Sequence, residues 1–381
     1  MTGGKLISVD LRNSKPINFS EIFNRVEYVR LETDKNHFLG DVKRIRKCGN
    51  FFYVQCNNGI FSFDEQGKFK AAIGSKGKGF GKFKVLNDFN VDTTNNRIEL
   101  MDRRGQKMLY YTLNGLFIDE WKFGINADTF TKLDDHTYLF YTSNMINIEE
   151  GDKSGYKLMV VDRSTSAIQS RQLRIDDHKA NFILYSDITN FLRNQDSLVF
   201  IQSGVDTIYN IVHSKISPRH IFDFAGSNIP DEFYEKDYKD VSYFDRAIEK
   251  TEFAGLFNTF LFENNQCVLT FVKKGKKRYL VAHLKNNNRN IVSSELIDDL
   301  YFKGNKEVVD WSAVPRGQNE NNLYYVVESS SIINKIESTK KSLSEREWRN
   351  FILKNKELMK IVEGMTVTDN PIIRICTLKS F

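Results

Sequence analysis

Short runs in which apolar and polar residues alternate recur along the chain, and turn-forming residues separate them. Two stretches align without gaps at an offset of 38: CNNGIFSFDEQG at 56–67 and TNNRIELMDRRG at 94–105. Both contain an Asn-Asn pair, an Ile that begins an alternating strand, and an Asp-x-x-Gly turn in which Gly supplies a positive φ. A unit of about 40 residues with four short strands is typical of a β-propeller blade.

This pattern predicts an all-β fold, a single six-bladed β-propeller domain over residues 1–381. Five blades are predicted at residues 40–73, 85–123, 126–175, 185–224 and 253–298, and a sixth begins near Val308. Strand-like segments are left over at both ends of the chain, at residues 26–31 and 371–378. We expect these N- and C-terminal strands to share one blade, because their pairing closes the ring and removes its free edges.

Two segments interrupt the strand pattern. Residues 227–250 are acidic and aromatic, and they are predicted to form a partly helical insertion. Residues 342–363 are predicted to form a C-terminal helix. Ser344 and Glu347 match a capping box, an approximate apolar stripe follows, and Gly364 stands at the end.

Composition narrows the classes of protein to which the chain can belong. It has 381 residues, a formal net charge of +6 and 13% aromatic residues, which is typical of a well-packed globular protein. No apolar run approaches the roughly 18 residues that span a membrane, so we expect no transmembrane segment. The charge is too small to indicate a nucleic-acid partner. None of the four cysteines forms a Cys-x-x-Cys pair, and we expect no cofactor and a monomeric protein.

Several stretches resemble a known group of propellers. The glycine-rich residues 73–83, followed by residues 87–92, resemble an NHL-type repeat, and residues 29–33, 39–41 and 369–373 resemble the ends of six-bladed NHL/TolB-like propellers of Bacteroides-type bacteria. The chain departs from that pattern where Gly79-Phe80-Gly81-Lys82 replaces Gly-Pro-Gly-Glu. The resemblance implies an exported protein, often a lipoprotein, in the periplasm or on the cell surface, whose leader is not present in this sequence.

Two groups of residues are candidates for ligand binding. The first is a basic loop with two polar residues at the entry of the next strand, and the second is an aromatic group among carboxylates: Lys76, Lys78, Lys82, Asn87 and Asp88, then Tyr234, Tyr238 and Tyr243. Both precede the innermost strand of a blade, so we expect them on one propeller face. Together they suit a polar, ring-containing ligand such as an acidic oligosaccharide, or a peptide. The alternatives are a solvated rim and an insertion that packs its rings on the propeller.

No catalytic motif accompanies this scaffold. The glycine-rich loop lacks the Lys-Ser/Thr of a phosphate-binding loop, and no histidine pair has metal-ligand spacing. The sequence therefore favours a non-catalytic binding module that presents one propeller face to a glycan or a protein. A lactonase-like hydrolase or lyase with a metal in the central channel is the alternative, because a propeller brings distant residues to one axis.

Overall fold

The computed structural model describes residues 3–34, 37–147, 155–176, 190–194, 197–257, 259–302, 305–310 and 313–381. The strands of these residues form seven separate sheets, which are the seven blades of a β-propeller. The predicted propeller fold is therefore confirmed, and the predicted count of six blades is wrong. The blades are numbered in chain order, and the strands of the N-terminal segment are not counted in this order.

The N-terminal segment adds outer strands to three blades that lie far away in the chain. Its strands β1 and β2 pair in parallel with blades 4 and 6, and β3 joins blade 7. A 3-10 helix at Leu11–Asn13 and helix α1 separate the strands. The elements are β1 Lys5–Ser8, β2 Ile17–Asn18, α1 Phe19–Ile22 and β3 Phe23–Arg30.

Blades 1, 2 and 3 are antiparallel four-stranded sheets whose strands follow one another in the chain. Blade 1 has β4 Val42–Cys48, β5 Phe51–Cys56, β6 Gly59–Asp64 and β7 Phe69–Ile73. Blade 2 has β8 Leu86–Asp92, β9 Arg97–Asp102, β10 Lys107–Thr112 and β11 Phe117–Lys122. Blade 3 has β12 Thr129–Lys132, β13 Thr137–Tyr141, β14 Tyr156–Asp162 and β15 Ile168–Arg174.

Blades 4 and 5 follow the same plan with additional strands. Blade 4 has β16 Phe191–Asn194, β17 Ser197–Phe200, β18 Thr207–Val212 and β19 Lys215–Asp223, with β1 at its outer edge. Part of the predicted range 185–224 lies outside the described residues. Blade 5 has β20 Ala254–Gly255, β21 Leu261–Glu263, β22 Cys267–Lys274, β23 Lys277–Leu284 and β24 Arg289–Ser293.

The blade that was not predicted from the sequence is the smallest of the seven. Blade 6 has three strands, β25 Glu295–Asp298, β26 Asn305–Val308 and the N-terminal β2. Only Ser294 separates β24 from β25, so β25 reads as the end of the fifth blade, although it pairs with β26 and β2. The partner β2 has two residues and lies almost 280 positions away, and a local pattern cannot reveal such a pairing.

Blade 7 closes the ring as predicted. It consists of β27 Gly317–Asn319, β28 Asn322–Val327 and the C-terminal β29 Ile372–Leu378, followed outward by β3. Strand β29 pairs with β28 on one side and with the N-terminal β3 on the other. The expected sharing of one sheet by both ends of the chain is confirmed.

Apart from the two short helices of the N-terminal segment, the helices of the described residues lie outside the sheets, in two groups. The insertion carries α2 Asp231–Tyr234 and α3 Val241–Ile248, so its partly helical character is confirmed. The predicted C-terminal helix at residues 342–363 is in fact two helices, α5 Glu345–Lys354 and α6 Lys356–Val362, and a further helix, α4 Ser329–Ser342, precedes them after β28. The capping box of Ser344 and Glu347 begins α5 as predicted. Helix α4 was missed, because polar residues make up most of it.

The turns show why these residues form tight blades. Asp64 accepts hydrogen bonds from the backbone N–H groups of Gln66 and Lys68, which closes the turn between β6 and β7. Gly67 in this turn has φ of 79°, and a Cβ there would lie 2.0 Å from the carbonyl oxygen of Arg30. The Asp-x-x-Gly signal is therefore both a turn and a contact point with the neighbouring blade.

The hydrophobic core lies mainly between adjacent blades. One cluster joins blades 1 and 2 and contains Ile60 and Phe89, and another joins blades 2 and 3 and contains Met108 and Phe140. A larger cluster connects blades 5, 6 and 7 with helices α5 and α6. Each blade is thus stabilised by burial against its neighbours.

Candidate functional site

Two adjoining cavities occupy the middle of the propeller. Cavity 1, of about 510 Å³, is lined chiefly by β4, β8, β12 and β16, the innermost strands of blades 1 to 4. Cavity 2, of about 730 Å³, is lined chiefly by β4, β16, β21 and β27 of blades 1, 4, 5 and 7. Four residues line both, and the cavities are therefore two halves of one central channel: Arg44, Arg46, Phe191 and Arg193.

Turns on one face of the propeller border both cavities. We call the face on which the innermost strands begin the entry face, and the face on which they end the exit face. The rims of both cavities are formed by the turns that follow these strands, at residues 93–94, 134–135, 264–265 and 320–321. These turns lie on the exit face, because each follows the last residue of an innermost strand.

Towards the entry face the channel wall is a belt of buried polar side chains that link blades 1 to 4. Arg44 Nη1 of blade 1 lies 2.5 Å from Asp88 Oδ1 of blade 2, and Asp88 Oδ2 accepts a hydrogen bond from the backbone N–H of Phe130 in blade 3. Thr129 Oγ1 and Asn190 Oδ1 lie 3.1 Å apart between blades 3 and 4. Because buried polar groups need partners, this belt fixes how the innermost strands meet.

The two cavities differ in charge. Cavity 1 has four basic and four acidic residues in its lining, whereas cavity 2 has five basic residues and two acidic ones. In cavity 1, Lys132 Nζ lies 2.7 Å from Asp92 and 2.6 Å from Asp135. Burial acts to raise the pKa of Asp92, but hydrogen bonds from Lys132 and Asn95 hold that pKa below its ordinary value. Cavity 1 is therefore neutralised by its own side chains.

In cavity 2 a single buried carboxylate, that of Glu263, lies within hydrogen-bond distance of several donors. Arg219 Nε lies 2.8 Å from Glu263 Oε2, and Lys285 Nζ and His220 Nε2 lie 2.7 and 3.0 Å from Oε1. Burial acts to raise the pKa of Glu263, but the hydrogen bonds from His220 and Arg219 bring it well below its usual range. Glu263 therefore stays ionised, yet one carboxylate leaves the charge of Arg219 and Lys285 only half neutralised.

The predicted strand-entry residues belong to the channel wall. Asp88 is buried and lines cavity 1. Asn87 donates through Nδ2 to Asp128 Oδ1 at 3.0 Å, and its backbone carbonyl accepts a hydrogen bond from Gln55 at 3.2 Å. The structure thus places both residues in the belt that links neighbouring blades, and neither is simply a surface residue.

The three predicted lysines lie elsewhere. Lys76, Lys78 and Lys82 are exposed on the loop at residues 74–85, and they line neither cavity. Blade 2 holds this loop in place. Tyr111 Oη donates to the carbonyl oxygen of Gly81 at 2.8 Å, and Glu120 accepts from the N–H of Gly81 at 3.1 Å. A ligand role for the lysines stays a prediction.

The three predicted tyrosines sit in or on the insertion. Phe233, Phe244 and neighbouring apolar residues form a small core, against which Tyr234 and Tyr238 pack. The Tyr234 hydroxyl donates to the carbonyl oxygen of Gly204 at 2.6 Å, and the Tyr238 hydroxyl donates to that of Phe233 at 2.9 Å. Tyr243 is 45% exposed. Most of these rings therefore contribute to packing, and none of the three tyrosines lines the channel.

The arginines of the channel were missed by reasoning from the sequence. Strand β4 reads VKRIRKC, with four basic residues in seven. Such a density in an otherwise alternating strand is unusual, and it was the available signal for Arg44 and Arg46. No comparable signal marks Arg193, Arg219 or Lys285, because they come together only when blades 4 and 5 are placed beside blade 1.

Among the described residues, no group of three or more His, Cys, Asp or Glu side chains is arranged to hold a metal ion. No helix in the described part of the chain combines the length and the apolar character that crossing a membrane requires.

Comparison with known proteins supports the fold. A family profile described as "Domain of unknown function (DUF4934)" matches residues 6–377. A crystal structure of a "Putative exported protein" from Bacteroides fragilis NCTC 9343 matches with a TM-score of 0.76 at 19% identity, covering 99% of this chain and 100% of that chain. No curated protein matches the chain in sequence.

Two further structures are more remote. A member of the duf4221 family from Bacteroides vulgatus ATCC 8482 has a TM-score of 0.52 at 11% identity, covering 93% of this chain and 98% of that one. Virginiamycin B lyase from Staphylococcus aureus has a TM-score of 0.42 at 10% identity, over 79% of this chain and 81% of that one, which is too remote to inform on activity. These likenesses do not support the NHL or TolB-like type that the sequence resemblance implied.

Proposed function

We propose, from the premise that this chain belongs to the DUF4934 family, that it is a non-catalytic binding module that holds a glycan at the exit face of its propeller. The observation that carries this proposal is the open central channel. Its two cavities, of about 510 and 730 Å³, fall in the range of small-ligand sites. Their walls are polar side chains on rigid strands, which suits recognition of a hydroxyl-rich ligand.

The lining of cavity 2 suits a sugar in particular. Amide side chains of blades 5 and 7, those of Asn264, Asn265 and Gln318, line it together with Phe191. Amides can donate to and accept from sugar hydroxyls, and aromatic faces can stack on sugar rings. A protein ligand would need a broader contact surface than the channel mouth, so the glycan is the better match.

We further propose that the protein acts outside the cytoplasm, in the periplasm or on the cell surface, and that it is a monomer. The support for the location is the similarity in fold to the Bacteroides fragilis protein that is described as exported. Light scattering of the purified protein tests the monomer, and a mass corresponding to two or more chains would contradict it.

The competing function is a metal-dependent hydrolase or lyase in the channel. The channel carboxylates Asp88, Asp92 and Glu263 each have a cationic partner in the protein, which makes them poor candidates for metal ligands. Elemental analysis of protein purified without chelator separates the two functions. A stoichiometric divalent metal, lost together with folding or activity on substitution of these acids, would overturn the binding-module proposal.

The binding proposal is tested on a glycan array with three proteins: wild type, Arg193→Ala in the channel, and Lys78→Ala on the basic loop. We expect the wild-type signal to fall at least about tenfold in Arg193→Ala, because a charged hydrogen-bond donor is lost from the site. Loss of signal in Lys78→Ala but not in Arg193→Ala would instead place the site at the predicted loop. Absence of any glycan signal for the wild type would contradict a glycan ligand.

A further inference from the structure

Cavity 2 carries an excess of positive charge that its own carboxylates do not neutralise. Two guanidinium groups share Asp88: Arg44 at 2.5 Å and Arg46 at 3.6 Å. Arg219 and Lys285 share Glu263 in the same way. In both cases two permanent cations meet one carboxylate, so each cluster retains about one positive charge beside the cavity.

Arg193 adds a fifth basic group to this wall. It is exposed, and Nη2 donates to the backbone carbonyl oxygen of Lys132 at 2.7 Å. A carbonyl oxygen satisfies one N–H group of a guanidinium, which has five, and it brings no negative charge. Glu320, the second acidic residue of cavity 2, is exposed in the turn after β27 at the rim. The interior of the cavity therefore remains basic.

Two side chains of the lining also keep hydrogen-bonding capacity that no described residue uses. Arg46 Nε is a buried donor and Gln318 Oε1 is a buried acceptor, and neither has a hydrogen-bond partner. Their strands adjoin, since the N–H of Ile45 in β4 donates to the carbonyl oxygen of Arg316, just before β27. Leaving such atoms unpaired costs about 1–3 kcal/mol each.

We infer that the ligand of cavity 2 is an acidic sugar, in which a carboxylate or sulfate lies among Arg46, Arg193 and Arg219 and the hydroxyls meet the amides of Gln318 and Asn265. The inference rests on the proposed binding function and names its ligand class. A guanidinium binds a carboxylate or a sulfate through two parallel N–H groups, so arginines confer geometric selectivity as well as attraction. Cavity 1, with its balanced charges, accommodates the neutral part of a longer chain.

Calorimetric titration of the full chain tests this assignment with defined probes: trigalacturonate, its methyl ester, and a sulfated chondroitin disaccharide. The ester keeps the sugar skeleton and removes the charge. We expect at least one acidic probe to bind at least about tenfold more tightly than the ester, with an affinity that falls as salt rises. Binding of trigalacturonate would show that a carboxylate is sufficient, and binding of the sulfated disaccharide but not of its unsulfated form would show that a sulfate is required.

Variants locate the site. Arg46→Gln and Arg193→Gln are expected to weaken the binding of the acidic probe about tenfold or more. Arg349→Gln, an exposed arginine on α5, is the matched control and is expected to bind like wild type. Circular dichroism melts show whether each variant is folded, and a folded Arg193→Gln that binds the acidic probe like wild type would overturn the assignment.

The remaining outcomes separate this inference from the proposed function. Equal binding of trigalacturonate and its ester, weakened by Arg193→Gln, would keep the binding role and overturn the acidic ligand class. Cleavage of an acidic probe during the titration would overturn the non-catalytic role and keep the ligand class. Failure of both acidic probes to bind would overturn the acidic ligand class as well.

Discussion

Single residues show how this propeller handles buried charge. In the channel, Asp88 and Glu263 lie next to arginines, and the hydrogen bonds from His220 and Arg219 hold the pKa of Glu263 below its ordinary value. Asp206, in the loop before β18, has a different environment. Its carboxylate accepts a hydrogen bond from Asn228, while burial and the nearby carboxylate of Asp223 act against its ionised form. Burial is the largest cause, and the pKa of Asp206 rises to about 6.

A raised pKa for an acid makes the folded protein less stable at higher pH. The folded state holds the proton of Asp206 more tightly than the unfolded state, so stability falls as pH rises from about 4 to about 6. Asp206→Asn removes this charge. We expect its free energy of unfolding to exceed that of wild type by about 2 kcal/mol at pH 7.5, and by much less at pH 4.

Urea unfolding at the two pH values measures this difference. Asp119→Asn, which changes an exposed carboxylate of β11, is the matched control and is expected to shift stability by less than about 0.5 kcal/mol. A difference for Asp206→Asn that is larger at pH 4 than at pH 7.5 would show that the carboxylate is stabilised, not destabilised, by its surroundings.

At the scale of elements, the basic loop at residues 74–85 is held by its neighbours. Lys107 Nζ and Tyr111 Oη of β10 donate to the carbonyl oxygens of Gly79 and Gly81, and Glu120 of β11 accepts from the N–H of Gly81. Phe80 lies between these anchors, and its relative solvent exposure is 72%. The loop is thus a preorganised element with its lysines and one aromatic ring directed outwards, which is favourable for contact with a partner.

Removing one anchor should loosen the loop without unfolding the blade. In Tyr111→Phe, the hydroxyl that donates to Gly81 is lost, which costs about 1 kcal/mol. We expect amide hydrogen exchange at Gly81 to become about fivefold faster. Tyr110→Phe is the control, since its hydroxyl contacts Tyr138 on the other side of β10. Equal exchange rates at Gly81 in Tyr111→Phe and wild type would mean that Lys107 and Glu120 hold the loop without the Tyr111 hydroxyl.

At the scale of the whole molecule, the two chain ends hold the ring together. Residues 5–30 run along the outside of blades 4, 6 and 7 and supply one strand to each. Strand β29 lies between β28 and β3, and it buries Ile372, Ile373, Cys376 and Leu378. Blade 7 therefore depends on segments that are more than 340 residues apart in the chain.

Deletion of residues 371–381 should destabilise the entire propeller. Burial of these four side chains of β29 contributes about 6 kcal/mol or more to the free energy of unfolding. The deletion also leaves β28 and β3 as unpaired edges. We expect a large drop in melting temperature or loss of cooperative unfolding. Deletion of residues 1–8 is the control, because β1 is an outer edge strand of blade 4 and its loss should cost far less. Equal melting of the 371–381 deletion and wild type would contradict the closure.

The sequence by itself determined those features whose signals are local. Alternation with a period of two marks each strand, and the Asp-x-x-Gly turn between β6 and β7 is closed by hydrogen bonds within five residues. The capping box of Ser344 and Glu347 is likewise complete within one helical turn. The propeller fold, the ranges of the first blades and the start of α5 follow from such signals. Even the closing pair of strands could be predicted, because a ring leaves terminal strands with no other partner.

Tertiary structure alone decided the count of blades and the composition of the channel. Blade 6 exists because β25 pairs with β2 across almost 280 residues, and short strands of two to four residues carry too little pattern to show this. Cavity 2 combines Arg46 from blade 1, Arg219 from blade 4 and Lys285 from blade 5. Their excess charge is a property of this juxtaposition, because each side chain taken alone in the sequence is indistinguishable from a solvated surface cation.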